Sequence, residues 1–199
     1  MLKALKMLKM QKLKTLLEKI KAKMTLKNLV SGTIQLSIYI TIFMTITWWQ
    51  QKDMLSASGD TQAPALHLVD MAGNTHNLNF NESDQPTLIY FFAPWCQVCH
   101  ASIDNLEEIY QDAKENKQQI SIYLVALDWS NTEEILDFLS QHQLSMPVLL
   151  GTNQTRSEYK IKGYPSYYLI DSKGKVASKS FGYSTELGLR VRVILNAQP

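Results

Sequence analysis

The run Thr87 to Phe92 (TLIYFF) passes without a break into Ala93-Pro94-Trp95-Cys96-Gln97-Val98-Cys99, and that join constrains the fold more than any other part of the chain. An almost wholly apolar and aromatic run this short suits a strand buried on both faces. After the cysteines, Ile103, Leu106, Ile109 and Tyr110 recur at helical spacing up to a polar exit at Lys114 to Lys117. The cysteines therefore stand where a buried strand gives way to a helix. A strand buried on both sides needs layers above and below it.

The rest of the pattern supplies those layers. Leu66 and Leu68, then Leu78 and Phe80, alternate on either side of Ala72-Gly73-Asn74 and predict a β-hairpin ahead of the main fold. Ile120 to Leu127 (ISIYLVAL) reads as a second buried strand, and Ser130 with Glu133 offers a capping box for a helix through Gln141. Met146 to Leu150 is a third short strand, residues 152–162 a polar helix or loop, and Ser166 to Asp171 a fourth strand. Asp171-Ser172-Lys173-Gly174 turns into Lys175 to Phe181, and Thr185 to Asn196 closes the chain as a helix. This alternation predicts an α/β domain over residues 63–199, a mixed central sheet with helices on both faces.

Charge and hydropathy divide the chain before that domain. Residues 1–28 hold nine lysines against Glu18 alone, which leaves 11 bases and 17 acids in the remainder. Nucleic acid is not an expected partner, since no basic patch with interleaved aromatics follows in the acidic part. Leu29 to Trp49 carries no charge over 21 residues and ends in a tryptophan pair. At the helical rise it spans roughly 31 Å, about one hydrocarbon core. One transmembrane helix is expected, with the lysine-rich head in the cytoplasm and the domain outside. A cleaved signal peptide is the rival reading, with Ser56-Ala57-Ser58 as its small residues, but the apolar run exceeds the usual ~7–15 residues. The head, 1–28, reads as an interfacial amphipathic helix, as a low-complexity tail, or as untranslated sequence before a start at Met24. Residues 50–62 are polar and small and read as a flexible tether.

The chain has two cysteines, separated by two residues. They can close only a small loop with each other, which removes little entropy from the unfolded chain, so stability is a poor reason for the pair. The chemical reason is better. A helix start stabilises a thiolate through its unpaired N–H groups and dipole, which makes Cys96 the nucleophile, and Cys99, one turn on, the thiol that resolves a mixed disulfide. Pro94 and Trp95 are expected to hold the entry turn and cover one side of it, with simple packing as the other reading of Trp95.

Phe91 to Cys99 resembles the active-site strand, turn and helix of thioredoxin-like proteins, and Gly163-Tyr164-Pro165 lies just before an apolar strand, where that family places a cis-proline against the cysteine pair. The resemblance implies a thioredoxin fold, a Pro165 that keeps metals and neighbouring strands off the cysteines, and a Tyr164 backbone that pairs with an extended substrate. The hairpin, Met146-Pro147-Val148-Leu149-Leu150, Tyr159 and Leu169 to Val176 are similar to the membrane-tethered, exported branch of TlpA, ResA and DsbE type. The anchor with Gly-Tyr-Pro and Ala-Pro-Trp before the pair most resembles the suppressor-of-copper-sensitivity D proteins. That branch implies exported cysteine-containing proteins as substrates, electrons from a membrane thiol donor of the DsbD type, a role in copper tolerance, and no cofactor.

Two positions depart from the family's pattern. Thioredoxin has a buried aspartate six residues before the first cysteine, where this chain has Tyr90, and the ResA kind has a glutamate three residues after the second, where this chain has Ser102. His100 is expected mainly as an exposed residue, although a cationic imidazole there would favour a thiolate. His67, His76 and His142 lack metal-ligand spacing and are expected on the surface. Two other functions compete with a reductase: a disulfide oxidase, and a soft-metal module in which Cys96, Cys99 and His100 hold Cu(I).

Overall fold

The computed structural model describes residues 2–117 and 119–196. Of the side chains before Val30, those of Gln11, Lys14 and Thr15 are described, so the apolar spacing of the head lies outside the described residues. The chain divides into two compact units, Met1–Trp49 and Gln50–Pro199.

The first unit belongs to one long helix, α1 (Leu2–Gln51). Within it, Val30–Gln51 is long and apolar enough to cross a membrane, and none of it is buried by protein. Hydroxyls along this stretch are bonded to their own helix: Ser37, Thr41 and Thr45 each donate to the carbonyl four residues back, at 2.7–2.9 Å. That satisfies polar groups a bilayer would leave unpaired.

The second unit is built on a seven-stranded mixed sheet of β1 (Leu66–Asp70), β2 (Thr75–Leu78), β3 (Thr87–Phe92), β4 (Ser121–Ala126), β5 (Val148–Leu150), β6 (Ser166–Ile170) and β7 (Val176–Phe181), in the order β2-β1-β5-β4-β3-β6-β7. β3 lies inside, parallel to β4 and antiparallel to β6. All six of its residues are buried, as an apolar run without alternation requires. The predicted hairpin joins the same sheet through β1 and β5. Between the strands come α2 (Gln97–Glu115), α3 (Thr132–Ser140), α4 (Asn153–Glu158) and α5 (Glu186–Asn196).

The pleat of β3 splits the core in two. Leu88, Tyr90 and Phe92 point into a cluster with Ile103 and Leu106 of α2, Ile135 and Phe138 of α3 and Leu189 of α5. Ile89 and Phe91 point the other way, against Tyr159, Ile161, Phe80, Met54 and Leu55. Burying each such side chain contributes about 1.5–3 kcal/mol, so both faces are needed to hold the strand.

Three expectations shift. Phe80 lies in a 3-10 turn, Phe80–Glu82, rather than in β2. The cap of α3 sits one residue later than read: Asn131 accepts from the Glu134 amide, and Glu134 accepts in return from the Ser130 amide. Part of the stretch read as a tether is packed on the domain. Met54 and Leu55 are buried, and Gln62 bridges to Lys175 at the start of β7, because these apolar side chains close the second core.

Candidate active site

β3 delivers the chain to the turn Ala93-Pro94-Trp95, and Cys96 becomes the cap of α2. Its sulfur accepts the Cys99 amide at 3.1 Å, and its carbonyl accepts the amides of Cys99 and His100 at 2.9 and 3.1 Å. Cys96 and Cys99 form a disulfide, with Cα atoms 5.2 Å apart. Cys96 is 6% exposed and Cys99 not at all. A helix start with an amide aimed at that sulfur favours it as a thiolate once the bond is reduced.

The sheet brings the second motif to the same end of the fold. Phe91 is registered opposite Ser166, which sets Pro165 beside the last residue of β3. The Tyr164–Pro165 bond is cis. Trp95 stands 62% exposed on the rim, its ring edge-on to Tyr164 with centroids 5.8 Å apart. Its indole N–H donates to the carbonyl of Asp128 at 3.1 Å. Asp128, in a left-handed backbone conformation at φ 49°, pairs with Arg156 at 2.8 Å. Burial, with the Asp128 carboxylate nearby, pushes the Tyr164 phenol well above its ordinary range. Trp95, Cys96, Cys99, Tyr164 and Pro165 are thus gathered at the C-terminal end of β3. Asp128 was missed, for nothing local in the sequence ties it to a tryptophan 33 residues earlier.

Beneath the pair, Tyr90 and Ser102 meet. The phenol and the hydroxyl lie 3.0 Å apart, and both stand 3.4 Å from the carbonyl of Cys99. Burial pushes the Tyr90 phenol far up, so it acts here as a neutral hydrogen-bonding group.

His100 and His142 depart from the expected surface placement. His100 turns back along the active-site turn, half-buried, with Nε2 at 3.2 Å from the Pro94 carbonyl and Nδ1 at 3.0 Å from Nε2 of His142. His142 in turn meets Asp104 at 2.8 Å. The reason is Phe138, which offers its ring to both imidazoles. Both nitrogens of His100 are turned to protein atoms, and among the described residues no group of three or more His, Cys, Asp or Glu side chains stands placed to hold a metal ion. His67 and His76 lie on the hairpin, against Asn77 and Asp70.

The chain is similar to known proteins. A thioredoxin-like protein of Haemophilus influenzae is 26% identical over 85% of this chain and 96% of its own length. The thiol-disulfide oxidoreductase ResA of Bacillus cereus is 28% identical over 63% of this chain and 70% of its own. The crystal structure of StoA from Bacillus subtilis superposes with a TM-score of 0.57 at 19% identity, over 69% of this chain and 99% of that chain, a likeness of fold. The nearer likeness to copper-sensitivity proteins rests on the sequence resemblance alone. The profile of the AhpC/TSA family matches residues 60–179, from the approach to β1 through the cysteine helix and cis-proline into β7, and on that match the chain belongs to the AhpC/TSA family.

Proposed function

We propose that the protein is a membrane-anchored thiol-disulfide oxidoreductase that acts on exported cysteine-containing proteins, with Cys96 as the attacking and Cys99 as the resolving sulfur. The observation that carries this is the unequal burial of two bonded cysteines at one helix start, with the outer sulfur receiving an amide. The Cys96 thiolate attacks a partner disulfide, forming a mixed disulfide and releasing one partner thiolate. Cys99 then loses its proton and attacks the Cys96 sulfur, which releases the second partner thiolate and restores the Cys96–Cys99 bond. The partner is reduced and the pair oxidised.

Repeated turnover in this direction needs electrons, and a membrane thiol donor of the DsbD type suits a domain tethered beside it. Trp95, Tyr164 and Pro165 shape the surface on which an extended substrate lies. The lysine-rich head before Val30–Gln51 supports a cytoplasmic N-terminus in the inner membrane and a periplasmic domain. A role in copper tolerance follows if exported copper-handling proteins are among the substrates.

The test is trapping. A Cys99→Ser protein should accumulate mixed disulfides with exported proteins, and a Cys96→Ser protein should not; equal trapping by both defeats the division of labour. A potential of the pair below about −220 mV supports a reductase, and one near −120 mV an oxidase.

A further inference from the structure

His100 and His142, 42 residues apart, take no part in the exchange chemistry above. His100 follows Cys99 in α2, and His142 lies just past the end of α3. Phe138 packs against both rings, with centroids 4.3 and 5.1 Å away. The side chain of His142 is 9% exposed, whereas the Asp104 carboxylate it meets is 67% exposed.

The contacts form a line with an acceptor at each end. Asp104 Oδ1 lies 2.8 Å from His142 Nδ1, His142 Nε2 lies 3.0 Å from His100 Nδ1, and His100 Nε2 lies 3.2 Å from the Pro94 carbonyl. A carboxylate and a carbonyl can only accept. The first contact therefore needs a hydrogen on His142 Nδ1, and the last needs one on His100 Nε2. The middle contact needs one more, on either nitrogen. Two neutral imidazoles carry one N–H each, so the line is complete only when the pair holds one additional proton.

We propose that His100 and His142 share that proton as a single imidazolium fixed against the active-site turn that leads into Cys96, and that this cation shifts the pair toward its reduced form. The inference rests on the exchange reading above. The line is neutral overall, but its two ends differ. The carboxylate sits in solvent, where water and salt screen it, while the cation lies half-buried against the carbonyl of Pro94, two residues before Cys96. Reduction breaks the S–S bond with two electrons and one proton, leaving a thiol and a thiolate. The cation favours the thiolate without giving up its own proton. His100 and His142 are thus tuning residues rather than reacting groups.

The test compares two substitutions in the full-length chain, held in detergent and equilibrated with glutathione. His142→Gln keeps hydrogen-bonding groups but carries no charge, and His142→Lys carries a charge and only donates. His142→Gln should move the equilibrium about tenfold toward the disulfide, a fall of ~30 mV, while His142→Lys stays within about twofold of the parent. Values equal to the parent in both variants, or an equal fall in both, overturn the proposal. A second measurement needs no variant: nitrogen NMR of the oxidised parent at neutral pH should find three protonated nitrogens among the four of these rings, and two overturns the shared proton. A parent that does not equilibrate with glutathione overturns the exchange reading and the tuning with it. An equilibrating parent whose variants behave alike overturns the tuning alone.

Discussion

The hydroxyl of Tyr90 and that of Ser102 lie 3.0 Å apart under the carbonyl of Cys99. These are the two positions at which the sequence departs from the pattern of the family it resembles, and in the fold they are neighbours. Each substitution makes sense beside the other. A phenol filling the space under the helix needs a small hydrogen-bonding partner, and a serine there needs a phenol long enough to reach it. Both are fully buried, so neither hydroxyl has water to fall back on.

Ser102→Ala or Tyr90→Phe should therefore lower unfolding stability by about 1–3 kcal/mol, since each leaves the other hydroxyl without its main partner. The double variant should cost less than the sum of the two, because it leaves neither the phenol nor the serine hydroxyl behind without the other. Urea denaturation of the three oxidised proteins measures this.

Trp95→Ala should leave stability within ~0.5 kcal/mol of the parent, for the ring is mostly exposed. Exchange with a protein disulfide should slow severalfold while exchange with oxidised glutathione keeps its rate. Parallel rate measurements with the two substrates separate a docking surface from a general defect.

Asp70 organises the β1–β2 turn. Its carboxylate takes a hydrogen bond from His76, others from the side chain and amide of Asn74, and one from the Ala72 amide, which hold it well below the usual carboxylate range. Its stabilising contribution is present above the unfolded value of about 3.9 and is lost as pH falls toward the lower folded value. Asp70→Asn should be less stable than the parent at neutral pH, with the two curves converging as the solution is acidified. Thermal unfolding midpoints measured across that range decide it.

Tyr168 holds the entry segment to the domain. Its hydroxyl accepts the Leu55 amide at 3.1 Å and donates to the Tyr159 carbonyl at 2.8 Å. Tyr168→Phe leaves both backbone groups unpaired and should cost about 1–3 kcal/mol. Limited proteolysis should cut faster around Met54 to Ser58 in the variant.

At Gly151 a Cβ atom would stand 2.8 Å from the Ala126 carbonyl oxygen and 2.6 Å from Leu127 Cδ2. That same carbonyl already accepts the Gly151 amide at 2.8 Å, so it cannot move away freely. Gly151→Ala should destabilise by about 1–3 kcal/mol through overpacking where β5 ends, read from urea unfolding.

Elements whose signal is local were legible in the chain. TLIYFF read as a doubly buried strand, the cysteines fell at a helix start, and Asp171 to Gly174 marked a hairpin turn. The cap of α3 was misplaced by one residue because Ser130 and Asn131 are both capping residues, and backbone geometry chose between them. Met54 and Leu55 sat in a polar stretch that read as tether, and two apolar residues show no periodicity from which burial can be inferred.

The sequence alone determined the cysteine pair at its strand-to-helix junction, the proline before β6 and the apolar segment ahead of the domain, because spacing and composition within a few residues specify each of these. Tertiary structure alone decided which side chains surround the pair. Tyr90 meets Ser102 across the β3–α2 packing, and Trp95 meets Asp128 at the end of β4. Asp104, His142, His100 and Pro94 fall into line only where α2 and the end of α3 close over the active-site turn. Hydrogen bonds between residues 33 to 42 positions apart depend on how helices settle on a sheet, and no local pattern records that.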